Sequence, residues 1–335
     1  MITHTIHHHD LQMRLDRFLR QKMPLKPLSE IYRLIRQGLV RVNGKKVREN
    51  YRFADKDVLE VRVPAAEWAL PDRQGGGLRA DGDEIARLAD TGFFKRNFHV
   101  LYEDSELLLC DKPGNLVVHP GTGHLKHDTL IDLARSYLMR KEDGGHSDEP
   151  QLVHRIDKDT SGVIMLAKNR HALRRVHESF RGRDVTKSYL AICHGFPDPA
   201  EGVIELNLSR THERNDGTKM EVTDEGEFSR TRYKVIDKCR DVARLMVEID
   251  TGRTHQIRVH MAHIRCPIVG DVRYGDPVQD ARIFGIAGVV HRLYLHARMI
   301  TFPDPRTGVP RTVRAPEPAE FGFLMDLRRS CRDSA

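Results

Sequence analysis

Residues 152–169 read LVHRIDKDTSGVIMLAKN. The second half, GVIMLAKN, is a short apolar run between Gly162 and the polar pair Lys168-Asn169, the pattern of a buried strand. The first half ends in a polar turn, DKDTSG, that carries Asp157. Taken alone, an aspartate among Lys158, Asp159, Thr160 and Ser161 reads as a turn organiser that bonds its own backbone.

Further along the chain, Ala172, Leu173, Val176 and Phe180 fall on one face of a helix that follows this strand. KSYLAICHG (187–195) and ARLMVEIDTG (243–252) read as further strands, and ELLLCDKPGNLVVHP (106–120) as strand, Pro-Gly turn, strand. THQIRVHMAHI (254–264) places Ile257, Met261 and Ile264 at helical spacing. Strands outnumber helices and follow no regular alternation with them. That order predicts an α+β fold with a mixed sheet rather than a doubly wound parallel one.

The N-terminal end is organised differently. Leu11, Leu15, Phe18 and Leu19, then Ile31, Leu34 and Ile35 after Ser29, mark two short amphipathic helices. LVRVNGKKV follows, with Asn43-Gly44 between alternating runs as a hairpin signal. Arg33, Arg36, Arg41, Lys45, Lys46 and Arg48 crowd the second helix and the hairpin. Residues 1–64 hold 14 basic and 7 acidic side chains, while the rest of the chain holds 41 of each. The whole net charge of +7 therefore sits in the first fifth of the 335 residues. Such a module is expected to dock a polyanion beside a neutral domain with another task. The boundaries expected are a basic domain over 11–64, a Gly- and Pro-containing linker over 65–97, and a large domain over 98–330, with 140–150 as a surface loop.

Several classes fall away. No run approaches the ~18 to 20 apolar residues of a membrane-spanning helix. The opening MITHTIHHHD lacks the basic and apolar regions of a secretory signal. Five cysteines without a C-x-x-C argue against a disulfide framework, a zinc ribbon or an iron–sulfur site and suit a reducing cytoplasm. His7, His8 and His9, and His255, His260 and His263, lack the spacing of a metal site, and no phosphate-binding G-x-x-x-x-G-K-[ST] loop exists.

HRIDKDTSG resembles the catalytic motif of the RluA-type pseudouridine synthases, with Ile156 where Leu is usual. KSYLA at 187–191, TGRTHQIRVH at 251–260, GDVRYGD and RLYLHA agree with it in order, so the resemblance spans about 98 to 316. Residues 13–63 resemble the S-four-type RNA-binding domain, an arrangement similar to that of the RluC and RluD groups, with RluC the nearer. The family's fold is α+β, with a mixed, largely antiparallel sheet flanked by helices and loops.

The resemblance implies uridine isomerisation in RNA, specifically in large-subunit ribosomal RNA. The glycosidic bond breaks, the uracil turns, and its carbon 5 rejoins the ribose. Formula is conserved, so no cofactor, metal or energy source is implied. The family's carboxylate maps onto Asp157; attack on the sugar, attack on the base and removal of a ribose proton all stay open to it. The family's arginine partner maps onto Arg258, which would keep the carboxylate ionised. Tyr189 would stack on the target base and help remove the carbon-5 proton. Arg155 would fill the space left by the flipped nucleotide, and Arg253 would meet RNA phosphate. The expected enzyme is a cytoplasmic monomer whose partner is ribosomal RNA or an assembly intermediate. A non-catalytic RNA-binding assembly factor, and the same chemistry on transfer RNA, are the alternatives.

Overall fold

The structure, a computed structural model, describes residues 2–6, 13–23, 28–63, 91–119, 129–141, 149–211, 219–286 and 288–330. They belong to two compact units. The small unit runs β1 (Ile2–Thr5), α1 (Leu15–Lys22), α2 (Leu28–Arg36), β2 (Val40–Val42), β3 (Lys45–Lys46) and β4 (Val58–Val61). Its antiparallel sheet has the order β1-β4-β2-β3. Leu15, Phe18, Leu19, Ile31, Leu34 and Ile35 from the helices meet Val40, Val42, Leu59 and Val61 in its core. Asn43 and Gly44 turn the hairpin at φ +51° and +75°, the left-handed pair that a two-residue connection requires. Strand β1 lies ahead of the boundary expected at residue 11. Its four residues were too few and too polar for an alternating signal, and only pairing with β4 makes them a strand.

The large unit continues with α3 (Gly92–Asn97), β5 (His99–Glu103), β6 (Leu107–Lys112), α4 (Leu130–Lys141), β7 (Gln151–Leu152), β8 (Ser161–Ala167) and α5 (Arg170–Gly182). Then come β9 (Thr186–His194), β10 (Glu201–Arg210), β11 (Met220–Val222), β12 (Glu227–Cys239), β13 (Val242–Ile249) and α6 (Gln256–His263). It ends with α7 (Pro277–Phe284), β14 (Leu295–Pro303), β15 (Pro310–Arg314) and α8 (Ala319–Ser330). One sheet runs β11-β10-β12-β13-β9-β14-β8-β6-β5, with β15 on β14 and β7 on β8. Every pairing is antiparallel except β14 with β8. The α+β expectation holds, and the sheet is mixed by that single parallel contact.

Two further local expectations are corrected. The end of the expected linker, 92–97, is α3, capped by the Thr91 hydroxyl, with Phe93 and Phe94 packed on the large core. Most of that linker, and most of the loop expected over 140–150, lie outside the described residues. After the Pro-Gly turn no second strand forms over 116–119. There the backbone N–H groups of Leu130 and Ile131 donate to the Val117 and Val118 carbonyls, so the segment meets the start of α4 instead of a strand. Among the described residues no helix is long and apolar enough to cross a membrane.

Candidate active site

The turn before β8 is held from several sides. Gly162 has φ +110°, and a Cβ there would stand 2.2 Å from the Ala297 carbonyl oxygen on β14. Only glycine allows the parallel β8–β14 contact at this point. The fully buried Lys112 donates to the Lys158 carbonyl at 2.7 Å and to Pro113 and Leu116 at 2.8 and 2.9 Å. Burial lowers this ammonium to about 7, against the opposing pull of Asp159 and Asp157. Arg292 Nη2 donates to Ser161 Oγ at 2.6 Å, and the same oxygen meets His296 Nδ1 at 2.9 Å. His154 Nε2 accepts from the Met165 N–H at 3.2 Å, and its ring stacks on Phe180 at 5.7 Å. Asp157 itself keeps a side chain 24% exposed, open to a ligand while its loop is anchored.

Helix α6 supplies the countercharge. It starts from His255 at φ +54°, and the Gln256 side chain ties its first turn to β12 through the Arg230 carbonyl and Thr231 hydroxyl, both at 2.9 Å. Arg258 is 5% exposed, although a helical arginine would ordinarily face water. Its Nη1 donates to Asp157 Oδ2 at 3.3 Å, while Nε and Nη2 donate to Asp271 at 2.8 and 2.7 Å. Its guanidinium also lies over the Tyr274 ring at 5.2 Å. Burial works against this charge, but Asp271 and then Asp157 outweigh it and hold the group firmly protonated.

Tyr189 lies on β9 between Val247 of β13 and Ala297 of β14. It is 6% exposed, and burial, followed by the charge of Asp157, raises its phenol above the usual range. Asp157, Arg258 and Tyr189 thus share one electrostatic neighbourhood although they stand more than thirty positions apart in sequence.

The other expected contacts separate from this cluster. Arg155 is exposed on the turn that carries Asp157. Arg253 is paired with Glu227 at 2.6 Å and bonded to the Phe228 carbonyl, away from Asp157's partners. In the small unit Arg33, Arg36, Lys45, Lys46 and Arg48 are exposed, with Arg33 3.2 Å from Glu30. Arg41 is half-buried and donates to the Gly38 and Gly44 carbonyls, closing the hairpin on itself. His260 is buried against Ser229 Oγ at 2.8 Å, and among the described residues no group of His, Cys, Asp or Glu side chains could hold a metal.

Asp271, Tyr274, Lys112 and Arg292 were not singled out from sequence. The first two lie in GDVRYGD and the last begins RLYLHA, so the signal was present as motif but not as role. A cavity of about 380 Å³ borders the end of that turn at Ser161, lined also by Asp111, Lys112, Arg292, His296 and Glu320 among others.

Residues 106–263 match the family described as RNA pseudouridylate synthase, and residues 13–59 match the S4 domain. The Ribosomal large subunit pseudouridine synthase C of Yersinia pestis is 36% identical over 93% of this chain and 91% of its own. The protein of that name from Escherichia coli K12 is 35% identical over 90% and 89%. Among solved structures, Human RNA Pseudouridylate Synthase Domain Containing 4 aligns with a TM-score of 0.56 at 27% identity, covering 74% of this chain and 97% of that one. With a turn-borne carboxylate on a buried arginine, and this similarity along nearly its whole length, the chain belongs to the RNA pseudouridylate synthase family.

Proposed function

We propose that the enzyme isomerises uridines of large-subunit ribosomal RNA, with Asp157 as the catalytic carboxylate. The observation that carries this is the Asp157–Arg258 contact at 3.3 Å, made by a half-open carboxylate to a buried, doubly held guanidinium. A cation fixed in that way gives the carboxylate a preorganised countercharge where a bound base excludes water. Tyr189 is assigned as the base platform. Its hydroxyl would then take part in removing the carbon-5 proton, the last step before product. Arg155, exposed two residues before Asp157, is assigned to the space vacated by the flipped uridine. The names of the relatives favour the large ribosomal subunit as substrate.

The basic small unit is assigned to RNA capture through phosphates, so affinity falls as salt rises. Arg253 is kept as a phosphate contact, available once it leaves Glu227. The enzyme on this reading works in the cytoplasm as a monomer, which light scattering tests. The decisive experiment is tritium release from ribosomal RNA labelled at uracil carbon 5. The natural protein should release it, and Asp157→Asn should bind the RNA and release none. Absence of release by the natural protein from ribosomal RNA would overturn the assignment.

A further inference from the structure

Helix α5 leaves the sheet directly after β8 and carries Arg170, Arg174, His177 and Arg181. Spacings of four, three and four put them on a single stripe roughly 16 Å long at 1.5 Å rise per residue. All four are exposed, because the opposite face buries Ala172 and Val176 and half-buries Leu173 and Phe180. The helix has no acid in its first turn, and Arg170 instead places a positive charge at the positive end of the helix dipole. Arg170 and Arg174 are also like charges at i, i+4, a spacing at which they repel. Neither arrangement serves the stability of the helix.

Ion pairing sets this stripe apart from several other arginines of the large unit. Arg232, Arg306 and Arg329, though exposed, and the half-buried Arg230 are each held by carboxylates. Arg175, on the flank of α5, is held by Glu106. Among the described residues no carboxylate pairs with Arg170, Arg174 or Arg181, nor with Arg155 or Lys158 on the catalytic turn. The one acid of α5, Glu178, lies beside the stripe and enters no ion pair. The stripe is physically joined to the site: His177 Nε2 lies 3.3 Å from the Val153 carbonyl oxygen, and Phe180 stacks on His154, the residue before Arg155.

We propose that this stripe is an RNA-backbone track, which carries the strand flanking the target uridine along α5 and delivers it to Arg155 and Asp157. It rests on the reading above that RNA is the substrate, and it adds a second electropositive surface, on the large unit itself. Unpaired guanidiniums on a rigid helix are free to replace counterions on phosphates without first breaking a protein ion pair. The contact is to backbone, so it serves affinity and register rather than base identity.

The test uses the full chain with Arg170→Gln, Arg174→Gln and Arg181→Gln combined, and an in vitro transcript of large-subunit ribosomal RNA. Glutamine keeps helix propensity and removes the repulsion, so the melting temperature should not fall. The dissociation constant is read between about 50 and 200 mM salt, where three lost contacts should flatten the log–log slope by about two. Affinity should drop on the order of tenfold or more, with the single-turnover rate at saturating RNA unchanged. A triple Lys variant should keep the slope, and a control triple at the equally exposed, unpaired Arg265, Arg282 and Arg314 should leave it as it was. An unchanged slope in the glutamine variant, or an equal loss in the control, would overturn the track. If the natural protein binds RNA but releases no tritium, the catalytic assignment fails and the binding comparison still decides the track.

Discussion

Arg258 and Asp271 meet side-on, Nε on Oδ2 at 2.8 Å and Nη2 on Oδ1 at 2.7 Å, which leaves Nη1 for Asp157. Asp271 is 2% exposed and also accepts from the N–H groups of Arg273 and Tyr274. The guanidinium is therefore oriented from behind by a carboxylate that never faces the cleft, and the orientation is set before any RNA arrives. Preorganised charge of this kind costs no rearrangement during the reaction.

Replacing Asp271 by Asn removes the charge that fixes the fork but keeps the size. Breaking a buried pair of this type costs about 3 kcal/mol or more. Asp271→Asn should lower the denaturant midpoint and, in the protein that remains folded, reduce the single-turnover rate with RNA affinity near normal. A rate equal to that of the natural protein would show that Asp157 does not need an oriented partner.

Arg258→Lys retains the charge and loses the fork. A lysine ammonium is a point charge on a flexible stem and cannot span Asp157 and Asp271 with parallel hydrogen bonds. We expect at least a hundredfold loss of turnover, roughly 2.7 kcal/mol in the barrier. Tritium release under single-turnover conditions measures it.

Gly162→Ala asks for a side chain at φ +110° and 2.2 Å from a backbone oxygen. Neither the left-handed conformation nor the carbonyl can give way cheaply, because Ala297 is paired in the sheet on both sides. A loss of about 3 kcal/mol or more is expected, read from soluble yield and chemical unfolding.

Two histidines make stability depend on pH. His260 and His296 are 0% and 1% exposed, and burial lowers each from 6.5 to about 4. In the fold they stay neutral through the window from 6.5 down to 4, whereas the unfolded chain takes up their protons there. The unfolded state binds more protons, so stability falls as pH falls through that window. Unfolding free energies at pH 7 and pH 5 should show the loss, and His260→Gln should shrink it by about one proton's worth of slope.

Much of the fold was legible because the local signals were strong. The Asn43-Gly44 hairpin, the apolar runs of β8, β9 and β13, the amphipathic α5 and the helical spacing of Ile257 and Met261 in α6 each follow from a periodicity or a turn residue within a few positions. Strand β1 and helix α3 were not legible, since four and six residues carry too little pattern and take their structure from partners distant in sequence. The segment after Gly114 misled for the same reason: its apolar residues are buried against α4, not laid in a ladder.

The sequence alone displayed the family motifs, which single out Asp157, Tyr189 and Arg258 as candidates, the basic character of the N-terminal module and the α+β class. These depend on residue type and short-range order, which a chain displays before it folds. Only the tertiary structure decided that Arg258 is buried rather than exposed, that Asp271 holds it, and that Lys112 and Arg292 anchor the turn that carries Asp157. It also tied Arg253 to Glu227 while leaving the α5 stripe unpaired. The physical reason is that charge pairing and desolvation act between atoms a few ångströms apart. Arg258 and Asp157 are 101 positions apart along the chain and 3.3 Å apart across the fold.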